Sequence, residues 1–185
     1  MAEISESEII KGCKKGKLNC QEMLYKRFYG YAMSVCLRYS YSRDEAVEIL
    51  NDSFIKVFDN VKKFDDDLSF KPWLRRILIN TSIDFYRKNK KQNQNQVLID
   101  NLNIDYDVGV LEKLNIDDIL KILNDLPDIY RLTFNLYEIE GYSHNEISKM
   151  LNVTESTSRS NLTRAKQMLR LSYQKHFEIN YAQAI

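Results

Sequence analysis

The chain has 185 residues and a formal net charge of +1, from 27 Lys and Arg against 26 Asp and Glu. At about 150 residues per domain this is one domain or two small ones, and 44% hydrophobic residues exclude a chain disordered by composition. Five Gly and two Pro are too few for the tight turns of a sandwich, a barrel or a Gly-looped nucleotide fold, and no apolar run approaches the roughly 20 residues of a membrane span. The acidic start MAEISESEII is unlike a secretory signal. Cys13, Cys20 and Cys36 lack the spacing of a metal or redox pair and read as thiols in a reducing compartment. The expectation is a helical protein of the cytoplasm, without membrane insertion.

The near-zero net charge conceals a segregation. Residues 1–96 carry 18 basic and 13 acidic side chains, 97–128 carry 2 and 8, and 129–185 carry 7 and 5. Two mildly basic blocks flank an acidic stretch.

In chain order, helices are predicted from about Glu6 to Gly16, Cys20 to Tyr41, Arg43 to Lys62 and Pro72 to Lys91. Pro72 suits a first helical turn, where a missing N–H costs nothing. The third helix is expected to bury Ala46, Val47, Leu50, Phe54, Val57 and Val61, and its other side gathers Glu48, Asn51, Asp52 and Ile55. An apolar residue amid acids and amides is a candidate for docking a basic protein helix; equally, a single exposed aliphatic needs no explanation. The following loop, KKFDDDLSFK (Lys62 to Lys71), is polar with two Phe residues, Phe64 and Phe70, and loops on rigid scaffolds commonly bind ligands. Its Asp65-Asp66-Asp67 triplet lacks the Gly and distal ligands of a calcium loop and is not read as a metal site.

On a helical wheel of about 100° per residue, Leu74, Ile77, Leu78, Thr81 and Phe85 form the expected core side of the fourth helix. Arg76, Asn80, Arg87 and Lys91 line the opposite side, with Trp73 at the margin and Arg75 and Lys88 further round. Such a stripe is either a solvated basic face or a surface for a nucleic-acid backbone with unstacked bases. Lys88 to Gly109 opens basic and Gln/Asn-rich, then turns acidic without a helical stripe. It reads as a linker, either a solvated tether or a functional segment.

Beyond it, Leu114, Ile119, Ile122, Leu123 and Leu126 recur at helical spacing until Pro127, and a second helix is predicted from about Asp128 to Glu140, stopping at Gly141. Helices from about His144 to Leu151 and Glu155 to Tyr173 follow. Ser143 with Glu146 forms a capping box, Asn152 can take the left-handed conformation of a tight turn, and Thr154 can cap the next helix. Ser158, Leu162, Ala165 and Leu169 share one face of that helix, and Arg159, Ser160, Thr163, Arg164 and Lys166 the other. This is helix-turn-helix grammar: short polar groups with Arg suit a helix lying in the major groove. An ordinary surface helix would show the same polarity without the caps and turn.

AVEILNDSFIKVF (Ala46 to Phe58), WLRRILINTSIDFYRK (Trp73 to Lys88), the Leu126-Pro127 step, Glu140-Gly141-Tyr142-Ser143 and the helix-turn-helix, in this order, resemble the extracytoplasmic-function (ECF) sigma factors of the sigma-70 family. The resemblance runs from about Ser7 to Leu171. It implies an all-α fold of two small helical domains joined by a flexible linker, at residues 1–91, 92–110 and 111–185. It also implies no cofactor, no metal and no catalytic centre. Glu48, Asn51, Asp52 and Ile55 would dock on core RNA polymerase. Phe64, Phe70, Trp73, Arg76, Asn80, Arg87 and Lys88 would hold the separated −10 strand of promoter DNA, with a flipped-out base taken by the Phe64-to-Phe70 loop. Arg159, Ser160, Thr163 and Arg164 would contact the −35 duplex, the acidic linker would run toward the polymerase's RNA path, and an anti-sigma factor would hold the free protein. Asn51 stands where the family usually has Gln, Val47 where an acid is usual, and Ser158 and Asn161 in place of Val and Arg.

Two other classes compete with this reading. A stand-alone helix-turn-helix regulator would need neither a docking face nor a melting stripe. An enzyme would have to draw on two histidines, His144 and His176, without metal spacing to the cysteines and without a phosphate loop.

Overall fold

The computed structural model describes residues 4–93 and 116–183, and every regular element among them is helical. The chain divides into two compact units, Met1–Phe85 and Tyr86–Ile185. Apart from Gln92 and Asn93, the expected linker at 92–110 lies outside the described residues, as does Leu114.

The first unit opens with α1 (Glu6–Lys14), started by a capping box: the Glu8 N–H donates to Ser5 Oγ and the Ser5 N–H to the Glu8 carboxylate. α2 (Leu18–Cys36) lies against it, and Gly12 is what permits the approach. A Cβ on Gly12 would stand 2.2 Å from Cys20 Sγ. α2 ends five residues before the expected Tyr41 because Tyr39 and Ser40 turn into the core, and Ser42 then caps α3 (Arg43–Asn60). A single 3₁₀ turn, Val61–Lys63, closes α3. α4 (Phe70–Asn93) begins two residues before the expected Pro72, which still lies in its first turn.

Leu24, Ile49, Leu50, Phe54, Leu74 and Leu78 are at most 2% exposed and form the centre of this unit. Each contributes about 1.5–3 kcal/mol on burial. The buried arcs are turned slightly from the wheel expectation. In α3, Ile49 and Ser53 are buried while Val47 is only half-buried. In α4, Ile79, Ser82 and Ile83 are buried while Ile77 and Phe85 are half-exposed. A wheel reports the mean direction of apolarity, whereas packing is decided by where the neighbouring helices lie.

In the second unit, α5 (Ile116–Asn124) leads through Leu126 and Pro127 into α6 (Asp128–Phe134). The predicted α-helix to Glu140 is not continuous: residues Asn135–Ile139 form a π turn, with the Glu140 N–H bonded to the Asn135 carbonyl. Gly141, at φ 77°, ends it. α7 (His144–Leu151) starts on the Ser143–Glu146 capping box and ends at Asn152 in the left-handed region, φ 54° and ψ 52°. Thr154 Oγ1 accepts the Thr157 N–H at 3.0 Å and starts α8 (Glu155–Gln183), ten residues longer than expected. Leu123, Leu126, Leu132, Leu136, Ile147 and Ala165 are buried between these helices. Arg131 is 2% exposed, with its guanidinium on Asn124 Oδ1 at 2.9 Å and Asp128 Oδ1 at 3.3 Å, the pairing a buried charge requires.

Candidate nucleic-acid and partner interfaces

Glu48, Asn51, Asp52 and Ile55 recur at i, i+3, i+4 and i+7 along α3 and are all exposed, Ile55 by 59%. Behind them Tyr25 of α2 packs on Phe54, with ring centroids 4.8 Å apart, and donates its hydroxyl hydrogen to Asn51 Oδ1 at 3.1 Å. The shorter amide at position 51 is thereby held, with its nitrogen left for a partner's acceptor.

Across the C-terminal half of α3 and the N-terminal half of α4, an open groove of about 290 Å³ is lined by Lys56, Asn60, Lys63, Trp73, Ile77 and Asn80. Its walls combine two ammonium groups, two carboxamides, an indole and an aliphatic floor. Those groups can pair with phosphates, hydrogen-bond base edges and stack on a base face. Lys56 also pairs with Asp84 at 3.0 Å. Of the residues proposed from sequence, Trp73 and Asn80 enter this groove; Arg76, Arg87 and Lys88 are exposed elsewhere on α4. Lys56, Asn60 and Lys63 escaped the sequence reading, although their i, i+4, i+7 spacing marks one polar row. Ile77 escaped because the wheel gave it to the core.

Phe64 and Phe70, expected from the resemblance to hold the −10 strand, are buried. They are 4% and 1% exposed, with edge-on rings 5.5 Å apart, and both pack against Trp73. Rings buried this way cannot stack on a base without unpacking the unit, so they anchor the loop rather than read DNA. The residues between them, 65–69, are exposed.

In the second unit, Arg159, Ser160, Thr163 and Arg164 are all exposed on α8, away from its buried positions Ser158, Asn161, Leu162 and Ala165. Arg159 is paired with Glu155 at 2.9 Å, Glu155 also accepts from Asn145 at 2.7 Å, and Arg164 donates to the Tyr130 hydroxyl at 3.1 Å. The Asn145 hydrogen bond, more than the nearby Arg159, holds the Glu155 carboxyl below the usual range. Lys166 is engaged by Glu138 at 2.7 Å.

Ser158, a hydroxyl where an aliphatic would pack, is fully buried and satisfied: its Oγ lies 2.9 Å from His144 Nδ1. The His144 ring stacks on Tyr137, 4.4 Å between centroids and 20° between planes. His144, the first residue of α7, is half-buried and ties α7 to α8. Burial first, and then the Arg159 guanidinium, hold its imidazole below the usual range. Asn161 is 5% exposed with its Nδ2 unpartnered, so it faces the unit's interior.

Burial pushes the Cys13 and Cys36 thiols up to about 11 and about 12, far from the thiolate a ligand or nucleophile needs. Among the described residues no cluster of His, Cys, Asp and Glu is placed to hold a metal, and no helix is long and apolar enough to cross a membrane.

Comparison with known proteins locates both units. The family model for Sigma-70 region 2 matches residues 24–92, and that for Sigma-70, region 4 matches 116–169. The ECF RNA polymerase sigma-E factor of Haemophilus influenzae is 24% identical, over 91% of this chain and 96% of that protein. The ECF RNA polymerase sigma factor SigM of Bacillus subtilis is 26% identical, over 82% and 94%. Among solved structures, the sigma factor RpoE of Bartonella quintana, in complex with the anti-sigma factor NepR, matches at TM-score 0.55 and 21% identity. That match covers 83% of this chain and 96% of that one, and it shows a shared fold.

Proposed function

The chain belongs to the ECF sigma factors of the sigma-70 family, and on that premise we propose how its surfaces divide the work of transcription initiation. As a sigma factor it binds core RNA polymerase, directs it to promoters through the −35 and −10 elements and promotes strand opening. No catalytic step is assigned to the chain itself, and its place of action is the cytoplasm, with the polymerase.

In our reading the exposed row Glu48, Asn51, Asp52 and Ile55 meets a basic helical surface of the polymerase. Carboxylates select the partner's charge, and Ile55 supplies the apolar contact. The groove between α3 and α4 receives the −10 strand. Once a base leaves the stack, its face can lie on Trp73, its edge can bond Asn60 or Asn80, and Lys56 and Lys63 can follow the backbone. Arg76, Arg87 and Lys88 extend that positive track along α4. On α8, Arg159, Ser160, Thr163 and Arg164 read the −35 duplex from the major groove. An anti-sigma factor, of the kind bound to the Bartonella protein, would act here by covering the docking row.

The observation that carries this assignment is the groove: cations, amides and an indole around one opening suit a single strand with an extruded base. A stand-alone helix-turn-helix regulator has no use for it, and the relatives, matched across both regions, are sigma factors. The test is reconstitution with bacterial core RNA polymerase and transcription from a genomic fragment library. Stable association with new, sequence-restricted start sites is expected. Absence of association, with tight duplex binding by the chain alone, would overturn the assignment.

A further inference from the structure

We propose that Lys14, on α1, is a positioning residue for base selection at the −10 element: it fixes the 64–69 loop against the groove that we assign to the separated strand. The inference rests on that assignment and adds to it a helix that lines no part of the groove. Both ends of the loop are pinned by aromatic packing, Phe70 on Phe28 at 5.0 Å and Phe64 on Trp73 at 5.2 Å. Its tip is a tight turn, in which Asp65 Oδ1 accepts the Asp67 N–H and the Asp65 carbonyl accepts the Leu68 N–H, both at 3.1 Å. Leu68 is left 63% exposed. Lys63 precedes the loop and Trp73 follows it; both line the groove, so the loop springs from the groove's wall at both ends.

What joins this tip to the rest of the unit is Lys14, some 50 positions away in sequence. Its ammonium donates to the Phe64 carbonyl at 2.7 Å and to Asp66 Oδ1 at 2.8 Å, and its side chain is only 21% exposed. Charge-assisted bonds of this length are stronger than neutral ones and directional enough to fix a loop. The same cation offsets one carboxylate of Asp65-Asp66-Asp67, a triplet whose full charge beside the groove would repel a phosphate backbone. Lys14 therefore acts on both the loop's geometry and its charge.

The test uses holoenzyme reconstituted from the full chain and core polymerase, on a promoter library randomised through the −35 and −10 elements. Wild type is compared with Lys14→Met, which keeps the apolar stem, with Lys14→Arg, which keeps the charge, and with Asp66→Asn. A wrong base at a read position ordinarily costs about fivefold or more in binding. Lys14→Met is expected to bring that preference below about twofold at one or two adjacent −10 positions. The −35 preferences and polymerase affinity should stay unchanged, with Lys14→Arg restoring most of the loss and Asp66→Asn falling between. An even loss of activity across all positions, unchanged preferences in Lys14→Met, or no rescue by Lys14→Arg would overturn the inference. Wild-type holoenzyme without −10 preference would overturn the groove assignment, and this inference with it, before any variant is compared.

Discussion

Ile55→Ala tests the apolar part of the docking surface we propose for the polymerase. Burying an Ile side chain contributes about 1.5–3 kcal/mol. Ile55 is 59% exposed in the free chain, so roughly three-fifths of that stabilisation is still available to a partner, about 1–2 kcal/mol. Truncation should therefore raise the Kd for core polymerase about 5- to 30-fold. The folded chain should barely notice, because the residue projects outward between Asn51 and Asp52 while the buried face of α3 runs through Leu50, Phe54 and Val57. The assay is competition of labelled chain for core polymerase at two salt concentrations, alongside thermal unfolding. The Ile55→Ala defect should persist at high salt, since apolar burial is not screened, whereas an Asp52→Asn defect should shrink. An unchanged Kd, or a loss matched by an equal loss of folding stability, would refute the docking assignment.

Trp73→Ala should weaken binding of the −10 strand by about 1–3 kcal/mol, the contribution of one base–aromatic stack. It should also lower Tm, because Trp73 packs on Phe64 and Phe70; Trp73→Phe should recover most of both in strand-binding titrations. Arg159→Ala should cost about 1–3 kcal/mol in −35 duplex binding and relax specificity at one base pair. A uniform loss over all sequences, with a salt slope smaller by about one, would assign it to phosphate instead. Burial and then the Arg159 guanidinium lower the His144 imidazole from its usual range in the folded state, so the unfolded chain takes up this proton first as pH falls. The stability of the second unit should be full above about pH 6.5 and decline below it, and His144→Gln should flatten that decline in unfolding curves between pH 5 and 8.

The features legible in the sequence are those whose physics is local. Ser143 with Glu146, Asn152 and Thr154 mark α7, its turn and the start of α8, and the observed bounds of α7 match the expectation. A cap or a left-handed turn needs only residues three or four apart, so its chemistry is written in neighbouring letters. The exposed row of Glu48, Asn51, Asp52 and Ile55 was equally legible, since four residues on one helix face share that face whatever the rest of the chain does.

Tertiary structure decided what depends on two elements meeting. Sequence order could not tell that Phe64 and Phe70 are buried in the core instead of standing exposed in the loop, because an aromatic in a polar loop has the same pattern in both cases. Nor could it join Lys56, Asn60 and Lys63 of one helix region to Trp73, Ile77 and Asn80 of the next, since the groove exists only at their crossing. Ser158 read as a misplaced hydroxyl until His144 supplied its partner across the helix-turn-helix. Lys14 carries no local signal of its own, and only the fold brings it to the loop. Helix identity follows from periodicity and capping within a few residues; which side chains share a site follows from packing over tens of residues, where burial and geometry choose among faces that composition leaves equivalent.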